Sequence, residues 1–405
     1  MAAFASGRGG GPPRAPDCSK DSNNVFLLSI PDHKTILRSW LLGKAAMNRR
    51  FTLQPRTQTG PRQHCNKRRG SMTNKTLTFA AAALTCLMFG ATTPALAEIT
   101  LKFHHDLPED SAQHVAAVKF KEAVESRTKG EIVVKLFPNN ALGDDVQATQ
   151  QMQLGAIQGG IVPTAKLSSF GPAMQLADLP FLFPSAKAAY AFLDGPVGVR
   201  LLATLDKVGL KGVTFWESGF KQFSCNSKVD GPADFKGKKV RVMESPRIMS
   251  QFKALGANPV PIAFSETYSA LQQGVADCQE NPLVSIVKMK FYEVQSDVII
   301  SNHAYLGYAF VYSKRWFDGL KPEFRDILVK SAQEMTGFQR EETARREASY
   351  VAEIKKSKAK VSTLTADQAK AFRLATRSVY AEFENAIGKD LMRDALKAID
   401  ASQTK

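Results

Sequence analysis

An arginine set between two valines, Val240-Arg241-Val242, and an asparagine closing the polar run Gln279-Glu280-Asn281 are the residues of this chain best suited to hold a carboxylate. The guanidinium of Arg241 is a planar fork whose parallel N–H bonds match the two oxygens of a carboxylate. Asn281 brings one acceptor and two donors, enough to complete the same carboxylate's shell. Each has a plainer alternative: Arg241 as a strand-edge cation in water, Asn281 as the cap of a helix from Pro282 onward. Phe264, between them, could line a pocket or simply fill the core.

Positioning these groups needs a particular order of elements. Val240 and Val242 alternate with Lys239 and Arg241, the period of a half-buried strand, and Pro246 then suits the first turn of a helix running to about Leu255 and stopped by Gly256. Asn258 to Ile262 must be extended, because each proline pushes the residue before it out of the helical region. Ser265 is expected to cap a helix carrying Tyr268 and Leu271, ended by Gly274. Strand, helix, strand, helix, strand is a unit of an α/β sheet, and in such sheets ligands bind beyond the carboxyl ends of strands. Arg241 and Asn281 both lie near such ends.

A similar unit precedes it. Ile99 to Phe103 is expected as a strand, 111–129 as a helix with Ala116, Phe120, Ala123 and Val124 on one face, Ile132 to Phe137 as a strand, a helix capped by Asp144 through Leu154, and a strand from Gly159 to about Lys166. Helices at 185–193 and 196–208, a strand at 212–216, a helix after Asn281, and strands at 298–301 and 305–312 follow. From Pro322 a helical pattern with no proline extends toward Lys356. At 1.5 Å per residue it is roughly 50 Å long, more than one small domain is wide, so it should bridge two lobes. Val361 to Leu364 reads as a strand, Thr365-x-x-Gln368 as a capping box, and helices finish the chain.

The formal charge of +16 is unevenly placed. Residues 1–71 carry 13 Lys and Arg against 3 Asp, and Lys75 adds another positive charge, leaving about +5 for residues 98–405. That distribution disfavours a nucleic-acid binder. Residues 72–97 read as a secretory signal: Lys75, an apolar run from Leu77 to Phe89 too short to span a bilayer, and Ala95-Leu96-Ala97 before Glu98. Residues 1–71, rich in Gly, Pro, Arg and Ser, are expected to be disordered or to reflect a start assigned upstream of Met72. Beyond the signal only Cys225 and Cys278 remain; export permits a disulfide, but their short strand-like settings favour two buried thiols.

The stretch Arg241-Val242, Phe252 to Pro259, Phe264-Ser265-Glu266, Tyr268, Ala270-Leu271-Gln272, Gly274-Val275, Asp277 and Gln279 to Pro282 resembles the periplasmic substrate-binding subunits of TRAP (tripartite ATP-independent periplasmic) transporters, and more precisely their dicarboxylate receptors. The likeness continues in Gly143-Asp144-Asp145, Leu179 to Pro184 and Gly219-Phe220-Lys221-Gln222, from about Ile99 to the C-terminus. It implies an α/β, two-lobe periplasmic binding protein, each lobe a mostly parallel sheet flanked by helices, with residues 98–218 and 307–346 in lobe I and 219–306 and 347–405 in lobe II.

By the same resemblance Arg241 anchors the ligand carboxylate. Asn281, Lys221, Phe264, Lys166, His105 and Asp145 would complete the site. Lys221 stands where other members carry arginine. Lys166 has a solvated surface as its alternative, and Asp145 a first-turn role favoured by the helix dipole. Three cations, Arg241, Lys221 and Lys166, around one pocket would need an anionic ligand and suit two carboxylates better than one, because unpaired buried charge is costly. The expected role is capture of a C4-dicarboxylate such as succinate, malate or fumarate and delivery to the small and large subunits of an ion-coupled permease. The alternative is a ligand-sensing protein for another organic acid, a 2-oxo acid or a sugar acid.

No enzyme is expected, nor any cofactor or metal. The chain holds no G-x-S-x-G, H-E-x-x-H or P-loop motif, and its six histidines are scattered. His104-His105 with Asp106 could in principle bind a metal, but neighbours on a strand point to opposite faces.

Overall fold

Alternating apolar residues lay down β1 (Ile99–His104), and the chain returns through α1 (Ala112–Arg127) to β2 (Ile132–Phe137), parallel to β1. The computed structural model describes residues 98–403, so the expected leader and signal lie outside the described residues. Ser111 Oγ caps α1 by accepting from His114 N, and Asp144 caps α2 (Asp145–Leu154) as expected, in a capping box that Gln147 closes. β3 (Gly159–Pro163) then pairs parallel to β1, and α3 (Thr164–Leu167) leads into a 3-10 turn, Pro172–Asp178.

After α4 (Ala186–Leu193) and α5 (Pro196–Ala203), the second half of the helix expected over 196–208 tightens into a 3-10 turn, Thr204–Val208. β4 (Leu210–Cys225) follows, far longer than the expected strand at 212–216. The Arg241 unit comes next: β5 (Lys239–Val242), α6 (Pro246–Ala254), β6 (Asn258–Pro261), α7 (Thr267–Gln272) and β7 (Cys278–Pro282). Ser265 does not cap α7. Residues 264–266 form a 3-10 turn entered from Ala263, and α7 starts without a side-chain cap.

α8 (Leu283–Lys288) leads to β8 (Asp297–Ser313), one strand where two were expected. α9 (Lys314–Asp318), α10 (Pro322–Lys355), β9 (Lys360–Thr363), α11 (Ala366–Ala375), α12 (Ser378–Ile387) and α13 (Lys389–Gln403) complete the described chain, with Thr365 and Gln368 forming the expected capping box.

The strands run in the order β2-β1-β3-β8-β4-β7-β5-β6, with β9 beside β8. Most pairings are parallel; the exceptions involve the long ribbon β4/β8, which is antiparallel throughout and pairs antiparallel to β3 and β7. One end of that ribbon, Tyr308 to Tyr312 opposite Lys211 to Trp216, carries β1–β3. The other end, Asp297 to Ile299 opposite Phe223 to Cys225, carries β7, β5, β6 and β9. Two α/β lobes are thereby built on one shared ribbon. Between them its register slips at Glu217/Gly219 and at Lys221/Phe223, where Gly219 takes φ +96°, a conformation that suits glycine because it carries no Cβ.

The 34-residue α10 reaches both lobes, as its length requires. Arg127 of α1 meets Glu334 at 2.6 Å, Gln339 Nε2 donates to Glu217 O of β4, and Tyr292, just past α8, donates to Glu353 at 3.2 Å. The lobe I core stacks Phe103, Phe120, Trp216 and Phe310, with ring centroids near Phe310 at 5.0–5.2 Å; edge-on and tilted aromatic pairs of this kind add to simple area burial.

Cys225 and Cys278 form a disulfide, against the expectation of two thiols. They sit directly opposite on β4 and β7 with Cα atoms 4.1 Å apart, a pairing that only the strand register reveals.

Candidate functional site

β5 lies inside its sheet with both edges paired, to β6 and to β7, and Arg241 on it is fully buried rather than half-wetted. Its Nε and Nη2 donate to Ile262 O at 3.0 and 2.7 Å, while Nη1 has no partner. The side edge of the guanidinium is thus held by the backbone, and the end edge, Nη1 with the second Nη2 hydrogen, is left for an acceptor. Burial draws the Arg241 pKa down to about 10, against the pull of Glu244, Glu280, Asp145 and Asp106, so the group keeps its charge at neutral pH. A fully buried arginine with an open edge is configured to receive an anion.

The two lysines behave differently from the expectation of free cations. Lys221 Nζ lies 2.7 Å from Glu280 Oε1, both side chains fully buried, and Glu280 Oε2 meets His303 Nε2 at 2.9 Å. Burial pushes the Glu280 carboxyl up, but Lys221 and His303 together bring it down to about 2. His303 is in turn held by Ser301 Oγ at 2.7 Å and stacks on Phe223, with burial lowering its pKa. Lys166 is also buried, not solvated, and is bonded to Glu244, which follows β5 in the opposite lobe. Each lysine therefore has an internal counter-charge, because a buried ammonium is stable only when paired. The inference from three unpaired cations to two ligand carboxylates does not hold in that form.

Asn281 is the last residue but one of β7 and is buried; its Nδ2 donates to Gln279 Oε1 at 2.6 Å. It caps no helix, since Pro282 occupies the capping position of α8. Phe264 packs edge-on to Phe291 in a core with Leu107, Leu271 and Leu283. His105 Nε2 pairs with His114 Nδ1 at 3.0 Å, its own Nδ1 is unpartnered, and burial with the neighbouring histidines lowers its pKa to about 3. Asp145 opens α2 as its first residue and meets His104 Nε2 at 3.3 Å. Asp106 instead accepts from Tyr308, and burial raises it well above the carboxylate range. The three neighbours His104, His105 and Asp106 thus face different partners, and no metal-binding group of three such side chains occurs among the described residues.

Around Arg241 the fold therefore gathers the acidic neighbours Glu244, Glu280, Asp145 and Asp106, with Lys221 paired to Glu280 and Lys166 to Glu244, while Asn281 bonds Gln279 instead. Sequence reasoning missed Glu280, Glu244 and His303 as counter-charges, and it missed Arg247. Arg247, the second residue of α6, is fully buried; Nη1 donates to Gln251, while Nε and Nη2 have no partner. The only sequence signal for it was its place in the first turn of the helix that follows the Arg241 strand, six residues beyond Arg241.

A family described as bacterial extracellular solute-binding protein, family 7, matches residues 103–386. The 2,3-diketo-L-gulonate-binding periplasmic protein YiaO of Escherichia coli is 37% identical over 77% of this chain and 94% of its own length. The C4-dicarboxylate-binding periplasmic protein DctP of Rhodobacter capsulatus is 38% identical over 64% of this chain and 78% of its own. Among solved structures, a TRAP periplasmic solute-binding protein from Sulfurospirillum deleyianum with bound succinate is 36% identical and superposes with a TM-score of 0.70 over 74% of this chain and 98% of its own.

Proposed function

The chain belongs to family 7 of the bacterial extracellular solute-binding proteins, the receptors of TRAP transporters, and on that premise we propose that it captures a C4-dicarboxylate such as succinate, malate or fumarate between its lobes. It is a receptor for organic acids and not an enzyme. The observation that carries the finer reading is Arg241, fully buried beside the lobe crossing with the end edge of its guanidinium open. One ligand carboxylate is assigned to that edge, with Asn281 completing its shell and Lys221, Lys166, Phe264, His105 and Asp145 arranged around it.

The lobes are taken as 98–218 with 307–346 and 219–306 with 347–405, closing on the acid by differential affinity for the closed state. The protein then passes the acid to the small and large membrane subunits of an ion-coupled permease without ATP. Export would follow cleavage of the 72–97 signal between Ala97 and Glu98.

A sugar acid is the second reading. The internal pairing of Lys221 and Lys166 removes their claim on a second carboxylate, and the YiaO relative is named for a sugar acid. Calorimetry with succinate and with butyrate separates diacid from monoacid. Loss of one well-paired carboxylate should weaken binding by at least ~2 kcal/mol, about thirty-fold. Equal binding of the two acids would exclude the dicarboxylate.

A further inference from the structure

Buried polar groups are almost always hydrogen-bonded, and those left open in a closed fold mark places where another molecule completes them. Three such groups surround the start of α6. The Ser245 hydroxyl precedes the helix without capping it and has no partner. Arg247 lacks partners at Nε and Nη2, the two nitrogens that form the side edge of its fork. Asp178, ending the 3-10 turn Pro172–Asp178 against which α6 packs, is fully buried with both carboxylate oxygens unpartnered.

Arg247 and Asp178 come from opposite lobes and influence one another's charge, yet no hydrogen bond or ion pair joins them. Thr164, whose side chain also lies beside Asp178, spends its hydroxyl on Gly307 O at 3.1 Å. Lys221, also within electrostatic reach, is already bonded to Glu280. A buried cation and a buried carboxylate that influence each other without joining each keep open bonds that one further group could satisfy.

Resting on the organic-acid reading above, we propose that Arg247 and Asp178 form the distal half of the ligand site, Arg247 donating from Nε and Nη2 to a second carboxylate and Asp178 accepting from a hydroxyl beside it. The preferred ligand is then a hydroxylated C4-dicarboxylate of the malate type. Arg247 is the better partner for that second carboxylate because its open edge is the parallel one, and the uncapped N-terminus of the nine-residue α6 adds favourable polarity for an anion. This returns the second anion to the site, though not on the lysines. Asp178 adds a discrimination that a plain diacid does not use, since an unmet buried acceptor disfavours a ligand with nothing to donate.

The test is calorimetry on the exported chain with succinate, both enantiomers of malate, and butyrate, using Arg247→Met, Arg247→Lys, Asp178→Asn and Arg241→Ala, with melting temperature as a control of folding. One malate enantiomer should bind the parent at least about ten-fold more tightly than succinate, and Asp178→Asn should bring the two within about three-fold. Arg247→Met should weaken malate and succinate by about thirty-fold or more while leaving butyrate unchanged. Arg247→Lys, which keeps the buried charge without the fork, should lose most of the same preference. Succinate bound as tightly as either malate by the parent would overturn the hydroxyl assignment. Parent affinity for both diacids in folded Arg247→Met or Arg247→Lys would mean that enclosed water fills these bonds. If Arg241→Ala alone lost binding, the organic-acid reading would stand and the distal subsite would fall; if Arg241→Ala also kept parent affinity, the reading beneath it would fall as well.

Discussion

Lys221 of β4 and Glu280 of β7 meet at 2.7 Å across neighbouring strands, with neither side chain exposed to water. His303 takes the second oxygen of Glu280, so the carboxylate is fully engaged on both sides. The pair sits where the ribbon passes from one lobe to the other, and Glu280 neutralises there a buried cation.

Breaking this pair from one side should be costly. Lys221→Met leaves Glu280 buried without its main counter-charge, and a loss of about 3–5 kcal/mol in unfolding free energy is expected; Lys221→Met with Glu280→Gln should recover much of it. Urea unfolding of the single and double variants measures both. A single variant as stable as the parent would mean that water reaches Glu280.

Acid should destabilise the fold through its histidines. Burial lowers both His105, to about 3, and His303, whereas unfolded histidine titrates near 6.5. A depressed pKa contributes stability that is complete above the unfolded value and is lost as pH falls from there toward the folded one. By pH 5 this amounts to roughly 2 kcal/mol for His105. Glu280, held to about 2, acts in the same direction below about 4.5, while Asp106 and Asp178, raised by burial, act oppositely. His105→Asn isolates the effect: its melting temperature should fall less between pH 7.5 and 5 than the parent's.

The Cys225–Cys278 bond closes a sequence separation of 53 residues. The chain-entropy relation gives roughly 4 kcal/mol for a loop of that size, and measured values usually fall at 2–4. Cys225→Ser with Cys278→Ser should lower the urea midpoint accordingly and leave the parent's sensitivity to reductant absent in the variant.

Much of the fold was legible because local chemistry and tertiary role agree. Asp144 as a cap and Thr365 with Gln368 as a capping box announce helix starts, and the length of α10 alone requires it to serve both lobes. The ribbon was not legible. Glu217-Ser218-Gly219 in β4 and Asn302-His303 in β8 read as breaks, yet these polar residues are strand members because their partners come from distant elements: Gln339 for Glu217 N, Glu280 for His303. Arg241 declared itself through its flanking valines, whereas Arg247 and Gln251, one turn apart, look like a solvated helix face and are both buried. The counter-charges of Lys221 and Lys166 depend on strand register and lobe contact, which spacing along the chain does not encode.

Processing offers a test independent of ligand. Ala95-Leu96-Ala97 before Glu98 predicts a mature chain beginning at Glu98. N-terminal sequencing of exported protein checks this, and a mature chain retaining residues 1–71 would refute both the signal and the start at Met72.

Arg241 is where the binding reading is most exposed to failure. Arg241→Ala removes the donor edge for the ligand carboxylate and also frees Ile262 O, so it should cost on the order of 2–5 kcal/mol in binding, from about thirty-fold to several thousand-fold. Arg241→Lys tests fork against charge. A lysine ammonium can reach Ile262 O or the ligand but cannot hold the two edges that the guanidinium divides between them, so most of the affinity should be lost although the charge is kept. Because the carbonyl contact also supports the crossover from β6 to α7, melting temperatures are measured alongside calorimetry. A folded Arg241→Ala variant that binds the best acid as tightly as the parent would move the carboxylate to another anchor.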